Sequence, residues 1–316
     1  MNSLMSIFRK HPVFYPVFAC LFWATNYVFG KIVVETLPPF HVSFIRWFIG
    51  SLIFLPFAYS EMKTHWRLLV QHWKLVLAMG ATGVTGFNVL LYYGMQYTTS
   101  INAALINSFQ TVIIVLLSVV FLKESISRSQ YFGFAISLIG FLFLFFQGKW
   151  EKLITLTLNP GDLWVFLAII LWGIYSVLLK IAGPILPKTA TFGTTIAIAN
   201  IFLLVLMLIE EQHTPMPWHA FDLELALLIL YLSIFPTVVA FSFWNESVTR
   251  LGVGKSSNFL HLVTIFATVI ALLFGESLHL YHLVGGLLII SGIVLSSNTG
   301  LFRMRKKNQH VHDRAK

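Results

Sequence analysis

Amide and aromatic side chains set inside long apolar runs are the residues of this sequence best placed to do chemistry. Asn88 and Tyr92 lie four apart, flanked by Thr85 and Gln96, and Asn107, Gln110 and Thr111 follow in the next run. Such steps of three and four place each group on one face of a helix. Trp23, Asn26 and Tyr27 stand together in the first apolar run. Trp172, Tyr175 and Ser176 recur in the sixth, Trp244 and Asn245 close the eighth, and Asn258 and His261 open the ninth. A polar side chain within hydrocarbon is costly unless it meets a partner, water or a bound molecule. Trp23, Asn26, Tyr27, Asn88, Tyr92, Asn107, Gln110, Trp172, Tyr175, Trp244, Asn258 and His261 are therefore candidate binding groups. Rings that pack an apolar body and amides that orient a polar end suit an amphipathic small molecule. The competing reading of each residue is a bond between neighbouring helices, worth about 0.6 kcal/mol on average.

Charged candidates are few. Arg46 lies about two turns into the second run; its stem could snorkel outward toward Glu35, or its head could seat an anion. Glu246 could pair with Arg250 one turn on, or carry a coupling proton. His261 could titrate near neutral pH. Lys31 and Lys180, at the ends of the first and sixth runs, are expected to snorkel. The sequence holds no Walker loop, dinucleotide fingerprint, His-Glu-x-x-His or metal-ligand cluster. The expectation is thus a non-enzyme without cofactor or metal.

These residues need elements to position them, and composition says which. The 316-residue chain is 57% hydrophobic and 10% charged, with a mean hydropathy of +0.81, too little polar surface to cover a soluble globule. Ten apolar segments are expected at about 13–34, 40–59, 73–95, 101–121, 130–147, 163–182, 188–209, 223–245, 254–274 and 281–298, each near the roughly 20 residues that cross a bilayer as helix. Uninterrupted runs such as 110–121 exclude the alternation of a β-barrel. The first segment, with Trp23 and Asn26, reads as part of the protein rather than a cleaved signal. Placing both termini in the cytoplasm puts the Lys and Arg of the 63–74, 123–128 and 250–255 loops, and of the 303–316 tail, inside. Only Lys149 and Lys152 then lie outside, beside an acidic loop carrying Glu210, Glu211, Asp222 and Glu224. The net charge of +9 is spread over these loops, so anionic lipid at the cytoplasmic face is the expected partner and nucleic acid is not. The single cysteine, Cys20, excludes an intramolecular disulfide.

The segments repeat. Glu124, Gly133 and Gly140 recur 152 positions on as Glu276, Gly285 and Gly292, and Trp23, Val28 and Lys31 recur 149 positions on as Trp172, Val177 and Lys180. Each half holds five segments, an odd number, so the second half enters the membrane with inverted topology, as in many secondary transporters. The expected division is 1–148 for the first repeat, 149–300 for the second and 301–316 for a basic tail. Gly80, Gly83 and Gly86, and the Gly133, Ser137, Gly140 stripe with its echo at Gly285 and Gly292, permit close helix approach. Segments 5 and 10 are placed outside the cavity, packing the halves together or forming a homodimer.

Two five-helix halves, each ending in Glu-x8-Gly-x6-Gly, resemble the drug/metabolite transporter superfamily, specifically its EamA-type ten-helix members; the resemblance covers about residues 13–298. Arg46 matches an arginine common in the second helix of that family, and Glu124 and Glu276 match the Glu that closes its fourth and ninth helices. The resemblance implies an all-α integral membrane protein of the inner membrane. It also implies a secondary carrier, and amino acids or related metabolites moved outward by alternating access are the expected cargo. Family members usually carry a proline about 13 residues before that Glu, where this chain has Thr111 and Val263, so a kink is expected to be lost from both halves. The alternatives are a non-transporting receptor or regulatory subunit, and a lipid-intermediate flippase.

Overall fold

A computed structural model describes residues 12–123, 127–149, 151–152, 158–251 and 259–295, and all regular structure among them is helical. Eight helices are long and apolar enough to cross a membrane: α1 (Phe14–Thr36), α2 (Pro39–Thr64), α3 (Trp73–Met95), α4 (Ser100–Leu122), α5 (Arg128–Phe145), α6 (Pro160–Ala182), α7 (Lys188–His213) and α8 (Leu223–Trp244). The shorter apolar helices α9 (His261–Leu273) and α10 (Leu280–Leu295) occupy the places expected of the last two segments. Phe57, Val120, Leu273 and Leu280 stand outward on this all-α bundle, as lipid-facing residues must.

Helix starts follow from local chemistry. Thr99 accepts from the Asn102 N–H at the head of α4, and Ser127 forms a reciprocal capping box with Gln130 at α5. Asn159 caps α6 ahead of Pro160, and Asp222 caps α8. Prolines 38 and 39 open α2, and Pro187 opens α7. The carboxylate of Glu276 reaches across from the end of α9 to accept from the N–H groups of Ser100 and Ile101, at 2.8 and 3.0 Å, so the head of α4 is capped from the other half of the chain. The matching Glu124 lies outside the described residues.

Packing interleaves the two halves. The strongest partnerships are α2 with α7, α6 with α3 and α4, and α1 with α8 and α9. At one end Glu210, on the last turns of α7, accepts from the backbone N–H groups of Phe40 and His41 at 2.9 and 3.0 Å. The His41 ring bonds Glu210 and Glu211 through its two nitrogens, at 2.8 and 2.6 Å. Glu210 and Glu211 are therefore helix-end clamps rather than members of a free acidic loop. α5 and α10 pack on each other through their glycine stripes: Gly140 faces Gly285, and Gly292 faces Gly133 and Ser137. Those stripes are occupied within one chain and are not left over for a homodimer.

Three helices depart from regular α geometry. In α3 the Gly80–Gly86 stretch widens to a π-helix, and in α8 Phe235–Val239 does the same. Pro236 has no N–H to give, and the hydroxyl of Thr237 donates to the Leu232 carbonyl at 3.0 Å. In α4 the helix breaks at Phe109 between Ser100–Ser108 and Gln110–Leu122, held by tight three-residue bonds from the N–H of Phe109 to Ile106 O and of Val112 to Phe109 O. The expected loss of this kink is thus corrected. It persists without proline because the Phe109 ring leaves the helix line to stack on Phe141 of α5, with centroids 4.5 Å apart.

Candidate functional site

A cavity of about 300 Å³ lies at the middle of the bundle, lined by residues of α1, α2, α3, α4, α6, α7 and α8 and by Leu260 and Val263. Its wall is aromatic. Trp23 of α1 packs against Trp244 and Phe241 of α8, with centroids 5.5 and 5.7 Å apart. Phe87 meets Trp172 at 4.9 Å, Trp172 meets Tyr175 at 5.3 Å, and Phe192 stacks on Phe241 at 4.7 Å. The Trp23 indole donates to the Pro236 carbonyl at 3.1 Å, which ties α1 to the π turn of α8.

One end of this chamber is polar and centred on Arg46. Its Nη1 donates to Asn88 Oδ1 at 3.1 Å and to the Tyr92 hydroxyl at 2.7 Å. The Tyr92 hydroxyl donates in turn to Asn26 Oδ1 at 2.8 Å. Nε is shared between Thr237 Oγ1 at 3.0 Å and the Leu232 carbonyl at 3.3 Å. Asn88 donates one of its two amide hydrogens to Val84 O, one helical turn back. Arg46 is 4% exposed, and it does not snorkel toward Glu35, which pairs instead with Lys31 at 3.0 Å. That expectation fails because Asn88, Tyr92 and Thr237, on two helices packed beside α2, supply acceptors deep in the bundle.

Of the residues picked from sequence, Trp23, Asn26, Tyr27, Asn88, Asn107, Gln110, Trp172, Tyr175 and Trp244 line this one chamber together with Arg46. Tyr92 lies just behind the lining, fully buried, with Asn26 and Arg46 on its hydroxyl. His261 starts α9 and is not in the lining; Asn258 lies outside the described residues. Glu246 is half-exposed and pairs with Arg250 at 2.5 Å, away from the chamber, so it is not brought to the site. Sequence reading passed over Trp47, Phe192 and Phe241, which also line the chamber.

Sequence reading also missed a second, more polar recess of about 510 Å³ at the end of the bundle where Glu276 caps α4. Lys31, Glu35, Gln96, Asn159, Glu276 and Tyr281 contribute to its wall, together with Asn102. Behind it Asp162, with no exposed surface, accepts from Thr98 Oγ1 at 2.5 Å and from Asn102 Nδ2 at 3.1 Å. Asn102 Oδ1 meets His282 Nε2 at 3.1 Å. This cluster joins the start of α6, the head of α4 and the start of α10. Asp162 follows an Asn-Pro-Gly helix start, one residue ahead of the segment expected at 163–182, and His282 is the second residue of the segment expected at 281–298. Consecutive residues of α1 line the two recesses, Tyr27 the chamber and Val28 the second. Tyr27, Tyr92 and Met95 are none of them more than 4% exposed, and Tyr92 and Met95 both pack against Gly30 of α1.

A multi-pass helical membrane protein with an aromatic and amide-lined chamber at its centre has the build of a small-molecule transporter. The sequence profile of the EamA-like transporter family matches residues 12–146 and again 159–298, and the chain belongs to that family. It is 28% identical over 236 residues to the uncharacterized transporter YyaM of Bacillus subtilis, covering 73% of this chain and 75% of that one. It is 26% identical over 293 residues to the uncharacterized transporter YoaV of the same organism, covering 90% and 96%. A protein of Streptantibioticus cattleyicolor named "Probable terminal-alkyne amino-acid exporter" is 29% identical over 242 residues, covering 73% and 75%. One crystal structure superimposes with a TM-score of 0.60 over 90% of this chain and 96% of its own, at 20% identity, which speaks for the fold alone. The family and these relatives are transporters and not enzymes.

Proposed function

We propose that this chain is a secondary carrier of the inner membrane that exports small amphipathic metabolites, amino acids or close relatives, by alternating access. The observation that carries the reading is the aromatic and amide-lined chamber beside a second, polar recess, the two lined by consecutive residues of α1, Tyr27 and Val28, with Tyr27, Tyr92 and Met95 buried. A carrier needs a chamber open to one side at a time, and a thin layer that can exchange sides. Both termini lie in the cytoplasm in this reading, by the distribution of Lys and Arg, with anionic lipid against the basic loops. The central chamber, whose lining reaches Leu179 and Trp244, is then the inward-open site, and the recess at Glu276 is the closed outer vestibule. Repeats spanning 1–148 and 149–300 would rock about the chamber, with the π turns of α3 and α8 as hinges at its wall. Support for amino acids comes from the name of the Streptantibioticus relative and from a lining of rings and amides.

The test compares metabolites in medium and cells of a bacterial host expressing wild type or the Trp23→Ala, Gln110→Ala double variant at matched membrane levels. A compound that accumulates outside only with wild type supports export and names the cargo. Depletion from the medium would reverse the direction, and no difference over a broad panel would overturn the carrier reading.

A further inference from the structure

Arg46 carries a full positive charge into the chamber wall, and among the described residues no carboxylate lies within ion-pairing distance of it; its acceptors are a carbonyl, two hydroxyls and an amide. Burying a charge with only neutral partners is expensive. Nη1 and Nε are spent on those partners, whereas Nη2 has no acceptor among the described residues, so half of the guanidinium fork is vacant. Of the four buried side-chain atoms that lack a partner among the described residues, two, on Thr195 and Asn200, lie outside the lining and two belong to lining residues. Trp47 Nε1 is a buried donor without an acceptor, and Asn107 Oδ1 a buried acceptor without a donor. Both residues line the chamber and are less than a tenth exposed. Native interiors satisfy nearly all such atoms, so unpaired ones on lining residues mark what an occupant can supply.

Resting on the carrier reading above, we propose that Arg46 and Trp47 form a seat for one carboxylate of the cargo, and that Asn107 accepts from a donor on the same molecule. Nη2 and the indole N–H are donors only, and their vacancy demands an acceptor group. A negative acceptor also compensates the buried guanidinium, which a neutral or cationic group does not. The aromatic wall then takes the apolar remainder, and a chamber near 300 Å³ admits one ring-sized group beside the polar head. The predicted class is a small monocarboxylate with an apolar tail. Simple amines and cationic drugs fall outside it. The seat is a specificity-determining feature, separable from transport as such.

Purified protein in lipid nanodiscs, followed by the fluorescence of its chamber tryptophans, tests this with three probes that share a ring and differ in the head: 3-phenylpropionate, L-phenylalanine and phenethylamine. The expected result is saturable quenching by both carboxylates, with phenethylamine at least tenfold weaker. Arg46→Gln should weaken the carboxylates at least tenfold and leave phenethylamine unchanged, a loss of selectivity that a purely structural arginine would not produce. Should Arg46→Gln fail to fold, Trp47→Phe keeps the ring, removes one donor and should weaken the carboxylates alone by several fold. Equal binding of all three probes by wild type, or unchanged carboxylate affinity in both variants, overturns the seat while leaving the carrier reading intact. Absence of binding by every probe overturns the seat as well, and only the export assay above then decides whether the carrier reading falls with it.

Discussion

Gly140 and Gly285 face each other across the contact of α5 and α10, reciprocally: a Cβ on Gly140 would stand 2.8 Å from the Gly285 carbonyl oxygen, and one on Gly285 would stand 3.0 Å from that of Gly140. The obstacle on each side is backbone, which cannot rotate away. Gly285→Val should therefore lower stability by about 1–3 kcal/mol through overpacking, and Gly140→Val by a similar amount. The midpoint of thermal unfolding in detergent reads this. An unchanged midpoint for both would mean that the two helices do not meet here.

The head of α4 predicts a second effect. Glu276 accepts from two backbone N–H groups that the helix itself leaves unpaired. Glu276→Ala should cost about 1 kcal/mol, the usual scale for a lost cap, and Glu276→Gln should cost less because its amide oxygen can still accept. Comparison of the two unfolding midpoints separates loss of the cap from loss of charge; equal midpoints for both variants and wild type would remove the cap from the account.

Asp162 is a buried acceptor holding Thr98 and Asn102, with His282 behind Asn102. Asp162→Ala leaves those donors unsatisfied at about 1–3 kcal/mol. Glu35→Ala, in the same recess but exposed and paired with Lys31 one turn back, should cost no more than about 1 kcal/mol. The order of the two in thermal unfolding is the outcome to check, and Glu35→Ala as the more harmful variant would contradict the burial of Asp162.

Glu246 is paired with Arg250 at a half-exposed site away from the chamber. Glu246→Gln should leave the export rate within twofold of wild type across the pH range assayed, whereas Trp172→Ala should lower export at least tenfold at matched levels of folded protein. A transport rate that loses its pH dependence in Glu246→Gln would return this residue to a coupling role.

The apolar segments were readable from composition and spacing because crossing a bilayer is a property of each segment alone: every backbone group bonds within its own helix, and about twenty apolar residues suffice. The repeat was readable for a similar reason, since Glu276 and the Gly285 and Gly292 stripe recur in register with Glu124, Gly133 and Gly140. Most of the polar part of the chamber lining could be named too, because amides and indoles are rare enough in such runs to stand out. What tertiary structure decided is which faces meet. Helices apolar on nearly every side carry little rotational signal, so nothing local told that Arg46 turns inward to Asn88, Tyr92 and Thr237 rather than outward toward Glu35. Nor could local pattern show that Phe109 breaks α4 by stacking on Phe141, or that Asp162, Asn102 and His282 meet behind a second recess. Those outcomes depend on groups far apart in the chain supplying one another's hydrogen bonds and contact surface, and only packing brings them together.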